Sequence, residues 1–232
     1  MDKYKTISAF NKWLSPINLE KLSIFSKKSI SAFDAYRKKL DFKALLSLLL
    51  YGVNEERESL RDLSTSLTLS PLQKEIGLES ISYSQISRSL NHLDSCILEE
   101  IFQQLLVSVQ EKTRPNKRNS LYLIDSSTFS LSKKRHPWAA FRKTKSGVKL
   151  HLKLCFMNDE TLYPTDFTLT NAKEHDVNQL EILVDQAEAT YVFDRGYLDF
   201  DRMDQLHHEG YFFVTRIKKN TQYHIFEDFE TP

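Results

Sequence analysis

Two aspartates end short apolar runs in this sequence. Asp125 follows residues 121–124 in LYLIDSST, and Asp194 follows residues 190–193 in TYVFDRGY. A carboxylate at the end of a buried strand is costly to desolvate without a partner, so it caps a turn, accepts hydrogen bonds or holds a metal ion. Two such carboxylates brought side by side repel each other unless a cation lies between them. Hard oxygen donors select Mg²⁺ or Mn²⁺ over zinc. A pair of these ions can activate an attacking oxygen and stabilise a leaving one in phosphoryl transfer. Between Lys112 and Lys153 there are twelve basic residues and one acid, Asp125. A lone carboxylate in a basic field suits work on a phosphate backbone, and it also suits a solvated charged surface.

The elements that must position these groups are strand-rich from residue 121 onward. Residues 121–125 read as a buried strand, with a second extended piece at 129–132. Residues 148–156 alternate, with Val148, Leu150, Leu152 and Leu154 apolar and Lys149, His151 and Lys153 between them. This pattern predicts a half-buried strand with one basic face turned outward. Asn158-Asp159-Glu160 reads as a hairpin turn, and 162–169 as the returning strand. A helix over 177–189 capped by Asp176, a strand over 190–194, a helix over 200–208 and a strand over 211–216 complete the pattern. That order fits a mixed sheet covered by helices.

Residues 1–114 read as all-helical. Helices are expected around 18–22 and 31–37. Asp41 is placed to cap a helix over 42–51 stopped by Gly52. Ser59 with Asp62, and Ser82 with Gln85, open two more as capping boxes, and Pro71 opens a short piece ending near Gly77. In the Ser82 helix, Ile86, Leu90 and Leu93 face inward while Tyr83, Ser84, Ser87, Arg88 and Asn91 face outward. Asp94 opens a longer helix with Ile97, Ile101, Leu105 and Val109 on one stripe. The helices at 59–68 and 82–93 suggest a helix-turn-helix, with Gln85, Arg88 and Asn91 able to contact DNA. An ordinary amphipathic helix has the same polar outer face. The basic segment 133–138 adds Lys133, Lys134 and Arg135 as DNA-binding candidates. Residues 114–119 form a charged, proline-containing linker, so the domains are read as 1–114, helical and DNA-binding, and 115–232, catalytic.

The net charge of +1 conceals an asymmetry: residues 1–154 carry 26 Lys and Arg against 15 Asp and Glu, and residues 155–232 carry 6 against 16. Cys96 and Cys155 lie far apart without a CxxC spacing, which gives no disulfide framework and no zinc site and fits a cytoplasmic location. The N-terminus lacks an apolar signal region, and the longest apolar run, 44–51, is too short to cross a membrane.

The strings LYLIDSSTFSL, GVKLHLKLCF, LYPTDFTLTNAKEHD and TYVFDRGYLDFDRMDQLHHEGYFFVTRIKKN together resemble the bacterial insertion-sequence transposases of the DDE class. They resemble the branch with a ribonuclease H-like core and a β-rich insertion between the second Asp and the catalytic Glu. ESLRDLSTSL and SYSQISRSLNHLD resemble that branch's N-terminal domain. The likeness covers nearly the whole chain, and FDRGY…YFFVTR at its spacing is its specific part. It implies an α+β fold: an all-helical N-terminal domain followed by a partial ribonuclease H-like mixed sheet. It implies that Asp125 and Asp194 are catalytic, metal-binding carboxylates using Mg²⁺ or Mn²⁺. The reaction implied is DNA cleavage and strand transfer by hydroxyl attack on phosphodiesters. The partners implied are double-stranded DNA with terminal inverted repeats and a second copy in a synaptic homodimer. Lys149, His151, Lys153 and Arg195 would lie near DNA. His175-Asp176 also matches a family string, although the residues themselves make Asp176 a helix cap. The family's third acid lies on a later helix. Glu230 lies 35 residues past Asp194 but two from the end, with no helical pattern after it. Residues 217–229 read as the start of the insertion, so the expectation is a truncated transposase with little activity alone. The rival readings are a non-catalytic DNA-binding product and a metal-dependent nuclease of the same fold.

Overall fold

Capping chemistry sets the first half of the chain. Asp41 accepts from the Ala44 amide at 2.7 Å and starts α2, Phe42–Asn54, which follows α1, Ile24–Asp34. Ser59 accepts from the Asp62 amide at 3.1 Å and starts α3, Leu60–Ser66. α4, Ser70–Ile76, has proline in its first turn and ends on Gly77 at φ 74°, a left-handed position that glycine adopts without a Cβ penalty. Ser82 and Gln85 form a complete capping box at the start of α5, Tyr83–Asn91. α6, Ser95–Thr113, follows, with Asp94 accepting from the Cys96 amide.

The computed structural model describes residues 12–113, 120–158 and 161–224. The chain divides into two compact units, changing over between Lys112 and Thr113. The linker 114–119, the turn residues Asp159 and Glu160, the residues before 12 and the residues after 224, Glu230 included, lie outside the described residues. In the first unit α2 supplies Phe42, Leu45 and Leu48, all essentially inaccessible, to a core shared with Leu63, Leu67, Leu72, Ile86, Ile97 and Ile101. Three expectations do not hold. The segment 18–22 forms only a single 3₁₀ turn, Leu19–Lys21, and the helix expected over 31–37 is instead α1, which starts at Ile24 and ends at Asp34. Gly52 does not stop α2; it lies buried inside it, where a Cβ would come within 3.1 Å of Leu63 Cδ1. The glycine permits close helix packing rather than a cap.

The second unit is a mixed six-stranded sheet: β1 Leu121–Leu131, β2 Ala140–Arg142, β3 Lys145–Asn158, β4 Thr161–Asn171, β5 Thr190–Phe193 and β6 Phe212–Thr215. With the short β2 set aside, the order across the sheet is β4-β3-β1-β5-β6. β1, β3 and β4 pair antiparallel, and β5 and β6 add in parallel. The α+β expectation, helices first and then a ribonuclease H-like mixed sheet, is borne out. The pieces expected at 121–125 and 129–132 are one strand, β1, and β5 stops one residue short of Asp194.

One helix is much shorter than its pattern suggests. Residues 177–189 hold only the 3₁₀ turn Asp176–Gln179 and the four-residue α7, Leu180–Leu183. Asp176 caps nothing, because Lys149 takes its carboxylate, and Asp185 is held by Lys153 where helix would have continued. α8, Phe200–His208, forms as expected, capped by Asp199. Among the described residues no helix is long and apolar enough to cross a membrane.

The two faces of the sheet differ. Tyr122, Ile124, Tyr191 and Phe193 are buried, while on the opposite face Leu123, Leu150, Leu152, Leu154 and Val192 are only half-buried and Phe212 and Val214 are exposed. Because Ile86 is fully buried and Asn91 on the same helix is exposed, Ile86→Ala should destabilise the first unit by about 2–5 kcal/mol and Asn91→Ala by less than about 0.5 kcal/mol. Urea unfolding of the two variants checks the assignment of the α5 faces.

Candidate active site

β1 and β5 run parallel with Leu121 opposite Thr190, Tyr122 opposite Tyr191, Leu123 opposite Val192 and Ile124 opposite Phe193. The next residue on each is an aspartate, so the register carries Asp125 and Asp194 to neighbouring positions. Adjacent strands lie about 4.8 Å apart. Beyond that rung the two chains diverge. β5 ends and turns into the 3₁₀ segment Arg195–Tyr197, while β1 continues six residues past Asp125, paired with β3. Both aspartates are exposed.

Each carboxylate is oriented by the amide that follows it. Asp125 Oδ1 accepts from the Ser126 N–H at 2.8 Å, and Asp194 Oδ1 from the Arg195 N–H at 2.5 Å. Asp194 Oδ1 also faces the Arg216 guanidinium at 3.1 Å. The amide bond and then Arg216 hold the Asp194 pKa below the usual carboxylate range. Paired, solvent-open oxygen donors suit a hard divalent cation. Among the described residues, however, no group of three His, Cys, Asp or Glu side chains forms a fuller ligand set.

Behind the pair lies a buried polar cluster. His151 is fully buried, with Nδ1 3.1 Å from the Tyr197 hydroxyl and Nε2 3.0 Å from Thr170 Oγ1. Asp176 Oδ1 accepts from Lys149 Nζ at 2.8 Å and lies 3.7 Å from His151 Nδ1. Burial lowers the His151 pKa, Asp176 opposes that shift and Lys149 adds to it. Burial raises the Tyr197 pKa, and the nearby Asp176 charge raises it further. Tyr197 touches Ser126 as well as His151, so this cluster joins the segments that follow both aspartates.

The basic face expected of β3 is corrected. The alternation is present, but its inside and outside are exchanged. Lys153 is 3% exposed and pairs with Asp185 at 2.9 Å, Lys149 is half-buried against Asp176, and His151 is sealed. The physical reason is charge complement from Asp176 and Asp185, 27 and 32 residues downstream of their lysine partners, which periodicity along β3 cannot reveal. His151 and Lys153 are therefore buried within the unit, and Lys149 is engaged by Asp176. Lys133, Lys134, Arg135 and Arg195 are exposed, as are Gln85, Arg88 and Asn91 in the first unit. The Gln85 side chain is engaged in its capping box. α4 intervenes between the two helices expected to form the helix-turn-helix, although α3 and α5 do pack together. Arg216 and Tyr197 join the site without having been among the residues expected there. The string RGY directly after Asp194 was a usable signal for Tyr197, whereas nothing local marked Arg216.

A mixed sheet in this strand order, with an acidic pair at the end of its central parallel rungs, defines a ribonuclease H-like domain. The family model described as "Transposase DDE domain" matches residues 116–229 of this chain. The chain is 29% identical over 150 residues to the probable transposase for insertion sequence element IS5377 of Geobacillus stearothermophilus, covering 64% of this chain and 39% of that protein. It is 29% identical over 124 residues to the putative transposase y4zB of Sinorhizobium fredii (strain NBRC 101917 / NGR234), covering 53% and 34%. These matches thus span well under half of either relative. Among solved structures, a piggyBac transposase synaptic complex with hairpin DNA aligns over 85% of this chain and 48% of that one, at 12% identity and a TM-score of 0.48.

Because His151 is buried with a lowered pKa, the unfolded chain takes up its proton first as pH falls. Stability should then drop as pH goes from about 7 toward 5, by at most about 1.4 kcal/mol per pH unit from this group. His151→Gln should remove that one-proton slope. Identical slopes in parent and variant, measured by urea unfolding across this range, would contradict a buried neutral imidazole.

Proposed function

We propose that this chain is a DDE transposase acting on double-stranded DNA at element ends, by metal-dependent cleavage and strand transfer. The observation that supports this most directly is the register of β1 with β5, which sets Asp125 beside Asp194. These two carboxylates would hold Mg²⁺ or Mn²⁺, which when bound activates an attacking oxygen and stabilises the departing one. The chain's own residues supply the frame. The Ser126 and Arg195 amides orient the carboxylates. Arg216 and Arg195 place positive charge at the rim, where a phosphate would sit. The first unit, with Arg88 and Asn91 on its exposed helix, is the DNA-docking part, and a second copy completes a synaptic pair.

A second reading, DNA binding without chemistry, is favoured by one observation: no third ligand joins the pair among the described residues. Incubation with terminal inverted-repeat DNA and Mn²⁺ separates the readings. Cutting with joining supports the transposase, cutting alone a nuclease, and binding alone the non-catalytic reading. Asp125→Ala should abolish any cutting while changing DNA affinity less than about 2-fold; a loss of binding in an electrophoretic shift would remove Asp125 from the chemistry. Affinity should fall on the order of 10³-fold between 50 and 200 mM salt if roughly six phosphates are contacted, a dependence read by fluorescence anisotropy.

A further inference from the structure

Past Asp125 the sheet carries an arm with no acid in it. Residues 129–148 comprise the last three residues of β1, a turn, β2 and the first four residues of β3, and hold six cations: Lys133, Lys134, Arg135, Arg142, Lys143 and Lys145. Among the described residues none of the six forms an ion pair, and all are exposed. In their midst Trp138 is 66% exposed and Phe129 51%.

The mount beneath this indole is built. The Trp138 carbonyl accepts from Asn171 Nδ2 at 3.1 Å, the His136 ring meets the indole edge-on at 6.3 Å, and Ala139 next to it is fully buried. β2 ties the turn back to β3, and Lys133 Nζ donates to the Lys143 carbonyl at 2.6 Å. Asn171 is level with Val148 and Phe129 in the ladders, which puts the mount about 13 Å along the strand direction from Asp125. An aromatic face held rigidly in water among unpaired cations is the arrangement that stacks an unpaired base while the cations follow its phosphates.

We propose that Trp138 is a base-stacking platform and that the arm is a binding site for a single DNA strand leading to the acidic pair. This rests on the DNA reading above and adds a site to it. All four bases have a face to stack, so the site is indifferent to sequence, and Phe129 offers a second, smaller apolar surface on the same arm.

The chain has two tryptophans, Trp13 and Trp138, so Trp13→Phe in the full chain leaves one indole to report. Titration with a thymidine 12-mer should quench its emission saturably, and less at high salt. Trp138→Ala should weaken 12-mer binding by about 5- to 150-fold, the range for losing one base–aromatic stack, with Trp138→Phe in between. Binding of a 12-base-pair duplex should change less than about 2-fold in the same variants, which also shows that they remain folded. Unchanged 12-mer affinity in Trp138→Ala, or an indole emission that does not move at saturation, would overturn the platform while duplex binding leaves the DNA reading intact. Failure to bind either DNA would overturn both.

Discussion

The parallel pairing of β1 with β5 is the constraint on which the candidate site depends. Four rungs, from Leu121 opposite Thr190 to Ile124 opposite Phe193, leave no freedom in where the next residues fall. A one-residue slip would carry every side chain of a strand to the opposite face. Tyr122 and Tyr191, stacked with centroids 5.3 Å apart, and the buried Ile124 and Phe193 resist such a slip. The placement of the acids is therefore secured by apolar packing one to four residues away, not by the acids themselves. β6 extends the argument, since Phe213 stacks on Phe193 at 6.1 Å and Thr215 lies opposite Phe193, so that Arg216 arrives beside Asp194.

The cluster of His151, Tyr197, Thr170, Lys149 and Asp176 shows a second principle. Buried polar groups are tolerable when each has a partner, and the low local dielectric then makes the network stiff. Here it connects β3, β4, the turn at Asp176 and the segment after β5. Gly196 belongs to the same fit, because a Cβ there would come within 3.2 Å of Asp176 Oδ2. The motif Asp194-Arg195-Gly196-Tyr197 thus combines a carboxylate, a cation, a close approach and a buried hydroxyl in four consecutive residues.

Much of this was legible where the determinants are local. The capping residues Asp41, Ser59 and Ser82 announce their helices because the cap and the amide it serves are three residues apart. The apolar runs before Asp125 and Asp194 announce their strands for a similar reason. Legibility failed where a distant residue decides. Hydropathy assigned β3's leucines to the interior, but Asp176 and Asp185 recruit its lysines inward instead. Those two recruitments also use up the residues that would have begun and continued the helix expected at 177–189. Gly52 read as a stop because its neighbour across the helix interface, Leu63, is invisible in a local window. Trp138 carried no pattern at all; only its exposure on an anchored turn distinguishes it.

The wet, apolar side of the sheet has an electrostatic consequence. By strand alternation Asp125 points to the same side as Leu123, opposite Leu152, where the leucines are only half-covered. In a dielectric like that of water, two unit charges about 5 Å apart repel by only about 1 kcal/mol, against roughly 3–4 kcal/mol at the effective dielectric of a protein surface. Access of solvent to those leucines thus weakens the repulsion between the two carboxylates, and the Arg216 guanidinium beside Asp194 offsets it further.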